Sequence, residues 1–278
     1  MKIISKLLLI AARCVPIGYW RLIRYAAKMD NSLWDYSIRL KFCRGSSLRA
    51  DLRESVYTGL YRFGYIPHQL GLDKLFMKIV RPGDIVFDVG ANIGYTSILF
   101  STIVGENGKV VACEPAQKSY DLLLRALREK KNVVCLNVAA SDQLGEVAFF
   151  VPKSLDLASC LPVVGADNVQ VKSDTVDRIA DVYGTPNFVK IDVEGYEPNV
   201  FRGMSKILSH DHRPIIIFEA LSADAVKECV TVLDEFSGNG YTYYRVGVDG
   251  DILKDYSATG TNDYLALPVW ARERALQA

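Results

Sequence analysis

The chain lacks the residue patterns that build structural metal sites and disulfide frameworks. Its six cysteines are scattered, with no Cys-x-x-Cys pair and no pair of histidines nearby. Cys113 and Cys135 fall inside apolar runs, where a reduced cysteine behaves as a small hydrophobic residue. These absences argue against a structural zinc site, and they favour a reducing, cytoplasmic compartment.

The chain also lacks an excess of charge, since its formal net charge is +1. Without a strong positive field we expect no nucleic-acid partner. Internal repeats and low-complexity segments are absent as well, while half of the residues are hydrophobic. With 278 residues, such a chain can hold one sizeable α/β domain with a small appendage.

The amino-terminal segment, residues 1–28, has six basic residues and no acidic residue, and the first acid of the chain is Asp30. A helical projection separates a polar face from an apolar face, and Leu9 alone breaks the pattern. The polar face consists of Lys2, Ser5, Lys6 and Arg13. The apolar face consists of Ile3, Ile4, Leu7, Leu8, Ile10 and Ala11.

This segment is too short in its apolar part to cross a bilayer, it has no convincing signal-peptide cleavage site, and Pro16 is expected to end the helix. Two interpretations stay open. Residues 1–28 could form a basic amphipathic helix in peripheral contact with the inner face of a membrane. Alternatively, the helix packs on the domain or on a second subunit.

From residue 84 onward, strand-like and helix-like patterns alternate, which predicts a doubly wound, mostly parallel α/β sheet. An Asp-Gly turn at 249–251 lies between apolar runs at 241–248 and 264–269, and it predicts a C-terminal antiparallel hairpin. The predicted strands are 84–89, 109–113, 132–138, 186–192 and 213–219. The predicted helices are 95–104, 117–130, 197–209 and 222–237.

Two segments stand outside this alternation. Residues 144–176 begin with a short apolar run, 146–151, and continue as a polar loop. Upstream, an aromatic-rich stretch either packs on the core as a lid or lines the mouth of a site; its rings are Tyr57, Tyr61, Phe63 and Tyr65. We expect residues 1–50 to be a helical extension and residues 51–278 to form the main domain.

The first predicted strand contains Asp88 as its second-last residue and runs into a turn that contains Gly90, Asn92 and Gly94. A strand, a glycine turn and a helix are how α/β proteins seat a nucleoside beyond the carboxyl ends of their strands. The glycines give the ligand room because they have no Cβ, and asparagine tolerates left-handed backbone angles. Asp88 either holds the charged amino-acid part of a ligand or caps the turn.

Two further acids follow later strands. Glu114 directly follows the second predicted strand, where its carboxylate suits the vicinal diol of a ribose, although it could instead stabilise the start of the next helix. Asp142 follows the third strand, and it either accepts a hydrogen bond from an adenine amino group or forms a turn.

A second cluster lies near residue 190. Period-two alternation places Lys190 and Asp192 on one strand face, and a lysine there needs a partner. Asp192 and Glu219 end neighbouring predicted strands, so their carboxylates could serve as general base, metal ligand or hydroxyl acceptor. The alternative is a salt-bridge network around Lys190. His68 is a further candidate base.

Together these segments resemble the FkbM-type family of S-adenosylmethionine-dependent methyltransferases. The resemblance covers roughly residues 80–220, and the combination of DVGANIG with KIDVEG is more specific than either motif alone. The matching segments are Asp88-Val-Gly-Ala-Asn-Ile-Gly94, Glu114-Pro115, Asn137-Val-Ala-Ala-Ser-Asp142, Lys190-Ile-Asp-Val-Glu-Gly195 with Glu197, and the strand that ends in Glu219.

The resemblance implies a Rossmann-like, seven-stranded class I methyltransferase fold and methyl transfer from S-adenosyl-L-methionine, usually to an oxygen. The acceptor would be a hydroxyl of a sugar, glycan or natural product. By the same resemblance, the cofactor-binding residues would be Asp88, Gly90, Asn92, Gly94 and Glu114, with Asp142 near the adenine.

We expect Asp192 or Glu219 to deprotonate the acceptor. No residue is assigned as a metal ligand, although the need for a divalent metal stays open. Two rival functions remain. One is a nicotinamide-dependent oxidoreductase, against which the strict G-x-G-x-x-G pattern is absent. The other is a non-catalytic, nucleoside-binding scaffold.

Overall fold

The computed structural model describes residues 2–43, 46–53, 57–151, 158–162, 164–254 and 262–276. Both expected domains, 1–50 and 51–278, contain a few residues outside these ranges. Part of the loop expected after residue 151 also lies outside them.

The helices follow in chain order, and within the described ranges short 3₁₀ turns accompany them at Asn31–Asp35, Pro67–Gln69 and Val269–Ala271. The α-helices of the described ranges are α1 (Lys2–Cys14), α2 (Tyr19–Met29), α3 (Tyr57–Phe63), α4 (Leu70–Ile79), α5 (Tyr95–Val104), α6 (Gln117–Leu127), α7 (Val176–Tyr183), α8 (Glu197–Arg202), α9 (Ser205–Leu208), α10 (Ala223–Ser237) and α11 (Arg272–Leu276).

The strands that the structure describes form three sheets. The strands of the described ranges are β1 (Tyr36–Arg39), β2 (Ser47–Ala50), β3 (Ile85–Val89), β4 (Lys109–Cys113), β5 (Val133–Leu136), β6 (Ala139–Ala140), β7 (Gly145–Val151), β8 (Asp167–Asp174), β9 (Phe188–Ile191), β10 (Ile215–Glu219), β11 (Tyr241–Val246), β12 (Ile252–Leu253) and β13 (Asp263–Pro268).

The central sheet has the order β12-β11-β13-β10-β9-β3-β4-β5. Strands β10, β9, β3, β4 and β5 run parallel, and β13 lies antiparallel between β10 and β11. This is the class I methyltransferase fold, and the predicted doubly wound sheet is confirmed. In the described part of the chain the two-residue strand β12 adds an eighth strand to the predicted seven. It pairs with β11 across the expected Asp-Gly turn.

The parallel strands β3, β4, β9 and β10 are buried on both faces because helices cover each side of the sheet, whereas β5 at the sheet edge is half-buried. Alternate side chains therefore enter two cores. On one side Phe188 packs against Phe76 and Phe100, with ring centroids 5.8 and 5.7 Å away. On the other side Phe218 packs against Phe201 at 5.5 Å.

Some predicted boundaries were wrong. The predicted helix 197–209 is split into α8 and α9 at Gly203, where a Cβ would lie 2.0 Å from the Ser141 carbonyl oxygen. The interruption at 144–176 contains the antiparallel pair β7 and β8 rather than a strand followed by a loop. Most residues of β8 are exposed, so the strand shows no apolar alternation that sequence reasoning could detect.

The amino-terminal helices pack onto the core that contains Phe100. Helix α1 ends at Cys14, as expected from Pro16. Leu9 and Ile23 are buried in the same hydrophobic cluster as Leu75 of α4. Across the described ranges, every helix is too short or too polar to traverse a bilayer.

Candidate active site

A cavity of about 700 Å³ lies at the carboxyl ends of β3, β4, β9 and β10. Five of the eight predicted site residues line it: Gly90, Asn92, Glu114, Asp192 and Glu219. Further walls come from α3, from the turn Pro67–Gln69 and from the start of α2. The cavity thus unites the two groups of residues that sequence reasoning treated separately.

Gly90 forms the contact between these two groups. Its φ angle is 78°, and a Cβ at this position would lie only 1.8 Å from the Asp192 carbonyl oxygen. The N–H groups of Gly90 and Ala91 both donate to the Cys113 carbonyl at 3.0 Å, which fixes the turn. The missing side chain therefore lets the turn after β3 meet the loop after β9.

Asn92 adopts the left-handed conformation expected for it, with a φ of 48°. Its backbone N–H donates to Glu114 Oε2 at 2.8 Å. Its Oδ1 atom is buried, and it has no hydrogen-bond partner among the described residues. Because a buried acceptor without a partner costs on the order of 1–3 kcal/mol, this oxygen is suited to receive a donor from a ligand.

Gly94 and Asp88 lie behind the turn, outside the described lining of the cavity. A Cβ on Gly94 would lie 2.8 Å from Leu123 Cδ1, so this glycine allows α6 to pack closely. Asp88 is fully buried and accepts a 2.6 Å hydrogen bond from Ser97 Oγ. Burial raises the pKa of Asp88, while the charge of Lys190 opposes that shift. Direct ligand contact by Asp88 or Gly94 stays a prediction.

Glu114 both lines the cavity and organises its wall. Its two carboxylate oxygens accept hydrogen bonds from the N–H groups of Asn92 and Ala116, each at 2.8 Å. Burial raises the pKa of Glu114 to about 7, although these two hydrogen bonds oppose the shift. Each oxygen keeps a second lone pair, so the carboxylate can still accept hydroxyl donors. Glu114 can therefore both stabilise the start of α6 and accept hydrogen bonds from a ribose.

The far side of the cavity is a cluster of carboxylates. Oxygen atoms of Asp192, Glu194 and Glu219 lie within 4.8 Å of one another. Asp263 stands opposite Glu219 in the antiparallel register of β10 and β13. These oxygens are the ligands that hard divalent cations prefer, so Asp192, Glu194 and Glu219 could hold such a cation.

The crowding of these acids changes their protonation. Burial, followed by the charges of Asp192, Glu194 and Asp263, raises the pKa of Glu219 to about 8. Burial and the charge of Asp192 raise the pKa of Asp263 to about 6. The cluster is therefore suited to accept a proton, a cation or the hydroxyl donors of a ligand.

Lys190 is the buried cation beside this cluster. Its Nζ atom lies 3.0 Å from Asp192 Oδ2, 3.6 Å from Asp88 Oδ1 and 3.1 Å from the Gly90 carbonyl oxygen. Burial alone would lower the pKa of Lys190, but the charges of Asp192 and Asp88 outweigh it and the pKa is raised. The salt-bridge network considered from the sequence is thus present. It includes Asp192, while Glu219 lies outside the ion pairs of Lys190.

Asp142 lies apart from the cavity. It is exposed, and it accepts a 3.0 Å hydrogen bond from Ser141 Oγ. The residues before it, Val138 to Ala140, contribute to the lining instead. Its proposed contact with adenine stays a prediction.

Several residues of the cavity were missed or left open by sequence reasoning. Asp263 was missed, although an acid directly before the last apolar run was a usable signal. Tyr19 and Gln69 carry no motif that could have indicated them. His68 does line the cavity. The four aromatic residues at 57–65 are outside the described lining, which favours their interpretation as packing residues.

The family model described as the Methyltransferase FkbM domain matches residues 88–243, more than half of the chain. The chain belongs to this family. The resemblance to this family that was inferred from the motifs is thereby confirmed.

A curated relative, the hexuronic acid methyltransferase AglP of Haloferax volcanii, is 28% identical over 138 residues. The match covers 49% of this chain and 56% of that protein, so the chain spans about half the length of this relative.

Three solved structures illustrate the structural similarity. Fibrillarin of Aeropyrum pernix, with natively bound S-adenosyl-L-methionine, has 15% identity and a TM-score of 0.43, covering 72% of this chain and 76% of that one. An S-adenosylmethionine-dependent O-methyltransferase of Thermotoga maritima has 12% identity and a TM-score of 0.43, covering 84% of each chain. An S-adenosylmethionine-dependent methyltransferase of Aquifex aeolicus has 16% identity and a TM-score of 0.41, covering 72% and 92%.

Proposed function

We propose that the protein transfers a methyl group from S-adenosylmethionine to a hydroxyl of a glycan or natural-product acceptor. The observation that carries this proposal is the close contact between the Gly90 turn and the Asp192 backbone. This contact brings the nucleoside end of the cavity beside a cluster of acids that can accept a hydroxyl proton. The similarity to a hexuronic acid methyltransferase supports a sugar acceptor.

The cofactor end would be formed by Gly90, Asn92 and Glu114. Two features fit a nucleoside there: the Asn92 Oδ1 atom, which lacks a partner among the described residues, and the position of Glu114 in the lining of the cavity. When bound, S-adenosylmethionine supplies a methyl group on a sulfonium, which is an activated carbon. Asp88 and Gly94 would support the turn indirectly. Asp88 accepts a hydrogen bond from Ser97, and Gly94 leaves room for the side chain of Leu123.

The acceptor end would be formed by Asp192 and Glu219. Their carboxylates can accept the hydrogen bond of a hydroxyl and then its proton. Glu219 is the stronger candidate for the base because Lys190 contacts Asp192 and Asp88 instead. Much of the remaining acceleration in methyl transfer comes from alignment of the two reactants, which a shared cavity supplies.

The experiment combines binding and turnover. Calorimetric titration should show binding of S-adenosylhomocysteine and not of NAD. Radiolabelled S-adenosylmethionine should then label a hydroxyl in a panel of glycosides that includes uronic acids. The assay is run with EDTA and with added Mg²⁺ or Mn²⁺, because Asp192, Glu194 and Glu219 could hold a metal.

Each outcome distinguishes between functions. Binding of NAD alone would favour the oxidoreductase. Binding of S-adenosylhomocysteine without transfer to any hydroxyl, with and without metal, would favour a non-catalytic nucleoside-binding protein. Transfer to a nitrogen or carbon acceptor would contradict the hydroxyl assignment and leave the methyltransferase family assignment intact.

A further inference from the structure

Helix α1 contacts the rest of the protein through only part of its surface. Ser5, Leu9 and Ala12 are its buried residues. Leu9, the residue that breaks the amphipathic pattern of the sequence, therefore packs α1 onto the hydrophobic core. Most of the large side chains of the predicted apolar face point outward instead, although Leu8 is half-buried and packs against the core. Four of them are more than half exposed: Ile3, Ile4, Leu7 and Ile10.

Polar contacts hold α1 in this orientation. Ser5 Oγ donates to Asp30 Oδ2 at 3.0 Å. Tyr61 Oη donates to the Leu9 carbonyl at 3.0 Å, and Arg62 donates to the Ala12 carbonyl at 2.7 Å. Turning the apolar side inward would break all three hydrogen bonds, so its exposure is a feature of the folded protein.

The segment that follows extends the same kind of surface. Ile17, in the connection, is 86% exposed, and the aromatic residues Trp20 and Tyr25 of α2 are 41% and 59% exposed. Tryptophan and tyrosine combine an apolar body with a polar edge, and they concentrate where membrane meets water.

The charged side chains of residues 2–28 are all cationic. In the helical projection the cations of α1 lie beside its exposed apolar sector, and further cations are exposed on α2. The first acid, Asp30, is buried against Ser5. The exposed cations are Lys2, Lys6, Arg13, Arg21, Arg24 and Lys28.

We propose that this amino-terminal face, formed by Ile3, Leu7, Ile10, Ile17, Trp20 and Tyr25, docks on the surface of a membrane that contains anionic phospholipid. The apolar side chains enter the boundary between headgroups and acyl chains, and the cations contact the anionic headgroups. Charge complementarity selects this occupant. Tyr19, the first residue of α2, lines the cavity, so docking holds the cavity beside the lipid surface.

The test uses the full chain and vesicle co-sedimentation. We expect binding to vesicles of phosphatidylcholine mixed with phosphatidylglycerol, weaker binding to phosphatidylcholine alone, and release by salt. The triple variant Ile3→Ser, Leu7→Ser, Ile10→Ser should lower the partition coefficient at least about tenfold. Neutralising Lys2 and Lys6 with serine should lower it about fivefold for each charge on the anionic vesicles only.

A matched control replaces three exposed apolar residues elsewhere: Leu144→Ser, Val182→Ser and Val248→Ser. This control should bind vesicles as the unmodified protein does. Both triple variants should keep their melting temperature and their affinity for S-adenosylhomocysteine, because none of the replaced residues lines the cavity. This readout separates the docking proposal from the proposed function.

Three results would overturn the proposal. One is equal binding of the unmodified protein to neutral and anionic vesicles, or binding to neither. Another is an equal loss of binding in the control variant. The third is a dimer in light scattering that the α1 variant converts to a monomer without any effect on vesicles, since the face would then be a contact between two copies of the chain.

Discussion

The two ends of the cavity are built in different ways. At the proposed cofactor end, backbone geometry dominates: Gly90 and Asn92 have positive φ angles, and Glu114 accepts hydrogen bonds from backbone N–H groups. At the proposed acceptor end, side-chain charge dominates, with carboxylates at or just beyond the ends of three different strands. We infer that binding depends on the shape of the first end and proton acceptance on the electrostatics of the second.

The largest expected effect comes from removing the contact that joins the two ends. In Gly90→Ala, the new Cβ would clash with the Asp192 carbonyl, and backbone atoms would have to move. We expect a loss of about a hundredfold or more in affinity for S-adenosylhomocysteine. The free energy of unfolding should fall on the order of 3 kcal/mol. Calorimetry and denaturant unfolding measure the two effects.

Gly83→Ala is the matched control for this variant. Gly83 also has a positive φ, 88°, but apart from its chain neighbours no atom of the described residues lies within 4 Å of a Cβ built there. Gly83→Ala should lower the free energy of unfolding only by the backbone strain, about 1–2 kcal/mol, and it should leave the affinity for S-adenosylhomocysteine unchanged. Equal effects of the two variants would show that the contact with Asp192 is unimportant.

Exchanging one carboxylate at each end should separate binding from catalysis. Glu219→Gln should lower kcat on the order of a hundredfold or more, with little change in affinity for S-adenosylhomocysteine. Glu114→Gln should instead weaken that affinity on the order of tenfold, because an amide NH₂ would face a backbone N–H donor. Methyl-transfer kinetics and calorimetry on both variants measure this split.

Glu129→Gln, at a side chain that is 86% exposed, controls for a lost surface charge and should change neither quantity. If Glu219→Gln turned over normally, Glu219 would not be the base, and Asp192 would be tested next with Asp192→Asn.

The smallest expected effect is on the pH dependence of stability in the ligand-free protein. The folded-state pKa values of Glu114 and Glu219, about 7 and about 8, lie above the ordinary value of 4.5. At a pH between 4.5 and the folded-state pKa, each carboxyl stays protonated in the folded protein but is ionised in the unfolded chain. The free energy of unfolding should therefore fall as pH rises from about 5 to about 8. We expect on the order of 1 kcal/mol per group, since Glu219 is partly solvated.

Urea unfolding in the presence of EDTA at several pH values tests this slope. Glu219→Gln should flatten it up to about pH 8, and Glu114→Gln should flatten it only up to about pH 7. A slope that neither variant changes would mean that both carboxylates are ionised in the folded protein throughout this range.

Local features of the chain were predictable from the sequence. The alternation of strands and helices after residue 84 follows from apolar periodicity, and the turn at Gly90 and Asn92 follows from backbone preferences. The position of Glu114 at a strand end placed it in the cavity. These features depend on neighbours within a few residues, which explains why both the fold class and the family could be read from them.

Tertiary structure alone decided how distant segments meet. It set Gly90 against Asp192, added Asp263 to the carboxylates, left Asp142 exposed and turned Leu9 of α1 inward while Ile3 faces outward. Each of these facts depends on contacts between segments far apart in the chain. Periodicity describes which faces a helix or strand has, whereas the packing of other elements determines which face is buried and which charges become neighbours.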